Sequence, residues 1–570
     1  MEGGPFLDPP RRGNRIAMRI DPAMAVATTT RTLSDPVIGP IPIAPAASAS
    51  HSSFQLSPPR ACALPLAFTL ALAAFLLLPQ VRQQPRFMWS FAGAAATLLI
   101  WNAALSVTRL SRRTLTLEVV LRRQHYVQAC AQGSVLIYWG WHWPPVYEFA
   151  YLIAAQLLFA YAFDMLLSWS RRDSYTLGFG PFPVIFSINL FLWFTQEWFF
   201  LQFLMVAVGF AAKELLRWEK YGRRSHIFNP SSFPLAVFSI ALLVTGASDI
   251  TWGRQIATTQ FYPPNMYLML FLIGLPGQFF FGVTSMTMSA VVTTYLIGVA
   301  YHALTGVYFF YDSYIPIAVF LGMHLLFTDP STSPRTELGR VIFGMLYGVS
   351  TVLLYEVLGR AGLPTFYDKL LQVPVLNLSI KVIDRAAQSD LLRRLDPAAI
   401  GGWLMPRQRH LAYMTVWLVI FSGMTVASGV GDTHEGQWLP FWQRACESER
   451  PDACVYLAQR EAAFCDQGSG WACNEYGLLQ RERDVGGPGA LATLSRGCDL
   501  GFGAACVNVD RVRQGAMRLV TTRPRLDDYP VILRGSKGVI TDRSPAALYA
   551  EACRQGWPDT CGRGTASATR

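Results

Sequence analysis

The sequence contains little charge. Only 15% of its 570 residues are Asp, Glu, Lys or Arg, against about 25% in an average soluble domain. It also lacks the composition of a disordered chain and the repeats of collagen or a coiled coil, so none of these is the main architecture. Instead, 52% of the residues are hydrophobic and the mean hydropathy is +0.28. This composition indicates a membrane protein rather than a series of soluble domains.

Apolar runs recur along most of the chain. A membrane-spanning helix needs about 20 mostly apolar residues, and on this basis the sequence predicts an all-α, polytopic membrane bundle of about 13 spans over residues 61–429. The predicted spans fall near residues 63–80, 88–107, 129–144, 147–168, 178–195, 198–217, 232–248, 266–283, 286–305, 313–328, 340–357, 367–384 and 410–428. Residues 1–60 are rich in Pro, Ala, Ser and Thr, which predicts a disordered cytoplasmic tail.

Basic residues are distributed unevenly between the two sides of the predicted bundle. If the N-terminus lies inside, the inner segments hold 25 Lys and Arg residues and the outer loops hold four. Cytoplasmic loops carry such an excess. We therefore expect a bacterial inner-membrane protein in a lipid bilayer, with residues 430–570 outside the cytoplasm. Those residues carry no net charge, so the +11 of the chain belongs to the bundle and does not indicate a nucleic-acid partner.

Cysteine is concentrated after the predicted bundle. Eight of the ten Cys form four pairs of one spacing, namely Cys446 with Cys454, Cys465 with Cys473, Cys498 with Cys506, and Cys553 with Cys561. Structural zinc sites usually use shorter spacings, and redox pairs use C-x-x-C. An even set of Cys in an extracytoplasmic segment instead predicts disulfides.

Three of these pairs share the pattern C-x-x-G-x-x-x-x-C, and helical stretches precede them. The pattern resembles the cysteine-rich Sel-type repeats, relatives of the tetratricopeptide repeat, over roughly residues 440–515 and again over 545–562. The resemblance implies a small αα-repeat domain that binds an extracytoplasmic protein. The alternative is that the disulfides only stabilise a domain whose hydrophobic core is too small to keep it folded.

Three polar stretches interrupt the predicted bundle. They contain Phe228-Asn229-Pro230, then Thr328-Asp329-Pro330 followed by Ser333-Pro334 and Thr336, and finally Gly362 to Asp384 with Asn377 between them. In this order, over about residues 130–387, they resemble the membrane subunit family that the Rnf electron transport complex shares with the sodium-translocating NADH:quinone reductase.

This resemblance implies flavin-linked electron transfer coupled to ion movement, with redox partner subunits. It also implies an FMN joined by a phosphoester to a Thr in an S-G-A-T element. The chain has no such element, and its nearest candidate is Thr284. Non-covalent FMN or riboflavin is the alternative.

Polar residues inside membrane spans are costly and are therefore functional hypotheses. We predict that Asn229, Thr328, Asp329 and Asn377, with Thr284, form a cofactor-binding site. The sequence indicates no catalytic residue and no metal site. The first predicted function is a divergent membrane subunit of a flavin- or quinone-linked complex. The alternative is a non-redox transporter, or a membrane-anchored scaffold, that keeps the fold.

Overall fold

A computed structural model describes residues 51–108, 113–220, 222–427, 430–483, 489–516, 518–533, 540 and 542–563, all within one compact unit. The predicted cytoplasmic tail lies outside the described residues as far as residue 50. Its last ten residues contradict the prediction of disorder. His51–Leu56 is a strand that pairs with Leu115–Val120, and the first helix begins at Pro58.

Helices dominate the described part of residues 51–427. They are α1 (Pro58–Ala74), α2 (Pro79–Arg82), α3 (Pro85–Thr108), α4 (Arg123–His142), α5 (Pro145–Glu148), α6 (Ala150–Arg171), α7 (Pro181–Asn189), α8 (Phe200–Leu215), α9 (Ser232–Thr245), α10 (Gly253–Thr259), α11 (Met266–Phe281), α12 (Thr284–Thr305), α13 (Ile317–Leu325), α14 (Glu337–Arg360), α15 (Val373–Ala387), α16 (Asp390–Arg393), α17 (Pro397–Ile400) and α18 (Pro406–Val426). One large apolar core contains residues of all these helices except α16 and α17.

The number of predicted spans is not supported. Among the described residues, five helices are long and apolar enough to cross a membrane, namely α1 with the turn after it, α3, α6, α12 and α14. Two shorter apolar helices, α9 and α11, fall below that length. Two predicted spans, 178–195 and 313–328, contain only the nine-residue helices α7 and α13. Apolar residues that are not helical follow each of these two helices, and hydropathy alone cannot distinguish them from a continuation of the helix.

The all-α prediction omits five short strands. They are β1 (His51–Leu56), β2 (Leu115–Val120), β3 (Ser174–Leu177), β4 (Arg217–Lys220) and β5 (Arg223–His226). β2 pairs antiparallel with β1 and parallel with β3, and β4 and β5 form a hairpin. The sheet and the hairpin lie at the same end of the bundle. There Arg172, after α6, pairs with Glu214, just before the hairpin, at 3.0 Å. We call this end the hairpin face.

The other end of the bundle is covered by the described residues between 430 and 563, which we call the tail. Its helices are α19 (Leu439–Glu447), α20 (Ala453–Asp466), α21 (Gly470–Glu482), α22 (Ala490–Asp499), α23 (Gly503–Arg513), α24 (Tyr529–Ile532) and α25 (Pro545–Arg554). Consecutive helices from α19 to α23 pack on one another. The tail core includes Trp442, Trp471 and Phe502, and it is continuous with Val307 and Tyr308 of the bundle. We call this end of the bundle the tail face.

All four predicted disulfides are confirmed. Each joins Cys residues eight positions apart, with the Cα atoms 4.6–4.9 Å from each other. Three of them connect the end of one helix to the start of the next, and the fourth closes the turn after α25. The bridges are Cys446 to Cys454 between α19 and α20, Cys465 to Cys473 between α20 and α21, Cys498 to Cys506 between α22 and α23, and Cys553 to Cys561 after α25. Each of the first three bridges therefore fixes the corner of a helical hairpin.

Candidate functional site

A polar loop at the hairpin face brings together most of the residues that the sequence singles out. This loop, Thr328–Thr336, follows α13 and ends at the N-cap of α14, where Thr336 accepts a hydrogen bond from the Gly339 amide. Asp329 shapes its first turn by accepting from the Ser331 amide at 3.0 Å and the Thr332 hydroxyl at 3.1 Å. This is the local bonding by which Asp favours turns over helix.

Asn229 and Asn377 form hydrogen bonds with this loop and with the residues just before it. Asn229 donates from Nδ2 to the Leu326 carbonyl at 2.9 Å, and its backbone amide donates to Oδ1 of Asn377 at 3.1 Å. Asn377 in turn donates from Nδ2 to the Thr332 carbonyl. Both side chains are buried, at 4% and 1% exposure. The two amides therefore tie α9 and α15 to the segment after α13.

Charged groups complete this network. Lys220 in the hairpin donates to the Ser333 carbonyl at 2.8 Å, and burial lowers the pKa of Lys220 to about 8. Burial acts to raise the pKa of Asp329, but the hydrogen bond and charge of His226, 3.3 Å away, with the bonds inside the loop, leave that pKa below its usual value. Asp384 accepts from the backbone amides of Arg335 and Thr336 at 3.1 Å. The arrangement positions and rigidifies the loop.

Asn229, Thr328, Asp329 and Asn377 therefore meet around one loop, whereas no described contact joins Thr284 to them. Thr284 opens α12 and is 1% exposed, so protein covers its hydroxyl on all sides. A phosphoester-linked FMN on this oxygen does not fit the arrangement that the structure shows. Thr328 uses its own hydroxyl to donate to the His324 carbonyl at 3.0 Å.

Away from this loop, the bundle contains two five-helix units of opposite direction. The first comprises α4, α6, α7, α8 and α9, and the second comprises α11, α12, α13, α14 and α15. The packing within them corresponds. The first helix of each unit contacts the third, the second contacts both the third and the fourth, and the fourth contacts the fifth. Helices α4, α7 and α9 start at the hairpin face, whereas α11, α13 and α15 run toward it. The bundle therefore contains an inverted repeat.

In both units the third helix has only half the length needed to cross a bilayer. Nine residues span roughly 14 Å, about half of the hydrocarbon core. Gln132, halfway along α4, links the ends of the two half-helices. Its Nε2 donates to the Ser187 hydroxyl of α7 at 2.8 Å and to the Leu325 carbonyl of α13 at 3.3 Å. We call this place the half-helix junction.

The half-helix junction contains buried polar side chains that the sequence analysis mostly misses. Gln260 donates to the Leu190 carbonyl, which closes α7. Gln278 of α11 and His324 of α13 line a cavity of about 10 Å³ beside the end of α13. The sequence does contain a signal, since Gln132 and Gln278 interrupt apolar helices, where polar residues are functional hypotheses. None of these four residues is among the predicted site residues.

The tail docks on the tail face through specific contacts. Asp432 accepts from the Asn265 amide at 2.7 Å, and Gln437 donates to the Asp312 carbonyl at 3.2 Å. The ring of His434 lies 4.0 Å from that of Tyr308, between centroids. The tail is therefore anchored where α11 begins and where the chain leads into α13.

Comparison with known proteins gives no relative, since no family model, no curated protein and no solved structure matches the chain. The resemblance to the Rnf membrane subunit family therefore depends on the sequence motifs.

Proposed function

We propose that this protein is a membrane transporter whose substrate crosses the bilayer through the half-helix junction. The observation that carries this proposal is the inverted repeat with one broken helix in each unit, linked by Gln132. Many secondary transporters place their substrate site near the middle of the bilayer, at the interface of such repeats and beside discontinuous helices. Rocking of one unit against the other then exposes the site to each side in turn.

The proposed orientation places the hairpin face in the cytoplasm and the tail outside, in a bacterial inner membrane. The basic residues Lys213, Arg217, Lys220, Arg335 and Arg340 gather near the hairpin and the polar loop, which supports this orientation. In this proposal the shorter helices add to the five candidate spans.

Thiol accessibility tests this transport proposal without knowledge of the substrate. Ser187 is buried at the half-helix junction. In a chain whose free thiols Cys62 and Cys130 are replaced by alanine, we expect Ser187→Cys to react with a membrane-impermeant thiol reagent applied from either side of sealed vesicles. The matched control is Ser239→Cys, which is buried in α9 away from the junction and should stay unlabelled. Labelling of Ser187→Cys from only one side, or from neither, would contradict alternating access.

A second candidate function is a divergent flavin- or quinone-linked electron transport subunit. It is favoured by the meeting of Asn229, Thr328, Asp329 and Asn377, the residues that carry the family resemblance, around one loop. In this proposal FMN or riboflavin is held without a covalent bond, and redox partner subunits supply the electrons. The purified protein would then show flavin absorption that acid precipitation transfers to the supernatant. A colourless preparation would argue against a flavin on this subunit.

The tail has a proposed role in either function. Successive packed helices with a disulfide at the corner support its relation to αα-repeat domains, whose surfaces bind other proteins. We propose that it recruits an extracytoplasmic protein to the tail face. Cross-linking in intact cells with and without the tail tests this role, which fails if the same proteins are captured in both cases.

A further inference from the structure

Four buried acceptor atoms at the half-helix junction have no hydrogen-bond partner in the described part of the chain. They are Oε1 of Gln132, Oε1 of Gln260, Oε1 of Gln278 and Nε2 of His324, and the amide nitrogen of Gln278, which is a donor, is unpaired as well. Their side chains are at most 2% exposed. Buried polar groups in native proteins are nearly always paired with protein, water or a ligand. Gln278 and His324 line one cavity, so the unpaired acceptors Oε1 of Gln278 and Nε2 of His324 indicate a ligand there that can donate hydrogen bonds.

The chemistry of the neighbours shows that the free atoms of Gln132, Gln260 and His324 are acceptors, whereas Gln278 has both amide atoms unpaired and can turn its oxygen toward a ligand. Gln132 and Gln260 face the carbonyls of Leu325 and Leu190, which can only accept, so each turns its amide nitrogen there and leaves its oxygen free. Nδ1 of His324 lies 2.8 Å from the Phe320 carbonyl and so carries the ring proton. Its Nε2 then holds a free lone pair.

The cavity beside the end of α13 limits the size of the ligand. A Cβ atom at Gly274 would lie 3.1 Å from the ring of His324 and 3.2 Å from Nε2 of Gln278, so the glycine leaves room between these side chains. The cavity measures about 10 Å³, which accommodates the centre of one water molecule. A ligand larger than water does not fit in the conformation that the structure shows.

Electrostatics favour a positive charge on this ligand. Helices α7 and α13 both turn their C-terminal ends, which carry partial negative charge, toward the junction. In the described ranges no cluster of three or more His, Cys, Asp or Glu could hold a metal ion. A divalent cation would want such carboxylates. The acceptors therefore suit a small cation with one positive charge.

We propose that the half-helix junction binds a water-sized hydrogen-bond donor with one positive charge, such as the ammonium ion, through Gln278 and His324. This inference deepens the proposed transport function, on which it depends for the statement that the ligand crosses the bilayer. Gln132 and Gln260, whose amide oxygens are also unpaired, lie at the ends of α13 and α7.

Thermal unfolding of the purified full-length protein in detergent tests the binding. We expect ammonium chloride to raise the melting temperature above that in the same concentration of N-methylglucamine chloride, whose cation is too large for the cavity. Sodium chloride supplies a small cation that donates no hydrogen bond, and it should give a smaller rise. An ammonium effect no greater than that of sodium or N-methylglucamine would overturn the proposal.

Two substitutions separate ligand binding from a structural role. Gln278→Leu removes a buried amide with two unpaired atoms, so this variant should melt no lower than the original chain yet lose the response to ammonium. Gln202→Leu removes a fully paired amide elsewhere in the bundle, so it should melt lower and keep the response. An unchanged response in Gln278→Leu would refute the site. If ammonium still raises the melting temperature but Ser187→Cys is not labelled from both sides, the transport proposal is refuted and the binding proposal stands.

Discussion

Replacement of Asp384 is the sharpest test of how the polar loop is held. This carboxylate is 3% exposed and accepts from the backbone amides of Arg335 and Thr336 at 3.1 Å and from the Thr336 hydroxyl at 2.8 Å. Hydrogen bonds to a charged group are worth about 1.5–3 kcal/mol each, so three donors set an upper range of roughly 5–9 kcal/mol. Water entry at the hairpin face and relaxation of the loop reduce this cost. We expect Asp384→Ala to lower the free energy of unfolding by about 3 kcal/mol.

A graded series makes this prediction specific. Asp384→Asn keeps one acceptor oxygen without the charge, so it should lower the free energy of unfolding by about half as much, near 1.5 kcal/mol. Asp390→Asn, on an exposed carboxylate in the first turn of α16, should change the free energy of unfolding by less than about 0.5 kcal/mol. Unfolding of the purified chain in mixed micelles measures all three. Equal values for Asp384→Ala and Asp390→Asn would refute the assigned role of the carboxylate.

Three further predictions concern packing, the tail and pH. Gly344→Ala should cost about 1–3 kcal/mol because its methyl group would overlap the backbone of α12, whereas Gly93→Ala, where the space is open, should be nearly neutral in the same unfolding assay. Replacing Cys498 and Cys506 with alanine opens a loop of about nine residues and should lower tail stability by about 2.6 kcal/mol in the chain-entropy model; unchanged protease resistance would contradict this. Burial raises the pKa of Glu475 to about 7 from 4.5, so the stability that its proton supports is complete below about pH 4.5 and is lost as the pH rises through 7. Glu475→Gln should therefore match the original melting temperature at pH 4.5 and exceed it at pH 8, and equal melting at both would contradict the assignment.

Local sequence patterns are sufficient for the parts of the structure that depend on near neighbours. The pairing of Cys465 with Cys473 and of Cys553 with Cys561, like that of the other two pairs, needs only a repeated short spacing. Helix ends are equally local, as at Thr336, which caps α14. Motifs also identify Asn229 and Asn377. Their spacing does not predict the hydrogen bond between the Asn229 amide and the Asn377 side chain, which are 148 positions apart in sequence.

The rest depends on contacts between distant residues. Hydropathy cannot reveal that α7 ends at Asn189, because the break depends on Gln260, which binds the Leu190 carbonyl 70 positions away. Lys369 lies near the end of the predicted span 367–384, where a lysine can reach the bilayer surface, but its side chain is buried and pairs with Asp368 at 3.3 Å. Asp164 precedes Arg171 and Arg172 in the sequence by only seven and eight positions, yet the cation that pairs with it is Lys213, at 3.5 Å. Both outcomes depend on how neighbouring helices pack around these side chains.

The disulfides of the tail also determine how the tail can be made. Eight Cys residues permit 105 sets of pairs, and the observed set joins every Cys to its next neighbour in sequence. In the proposed orientation, the tail emerges from a translocation pore N-terminus first and exposes the members of each pair together, before the next pair appears. Simple oxidation in order of emergence then gives the native set. The tail therefore should not require a disulfide isomerase, and its maturation should proceed at the rate of translocation.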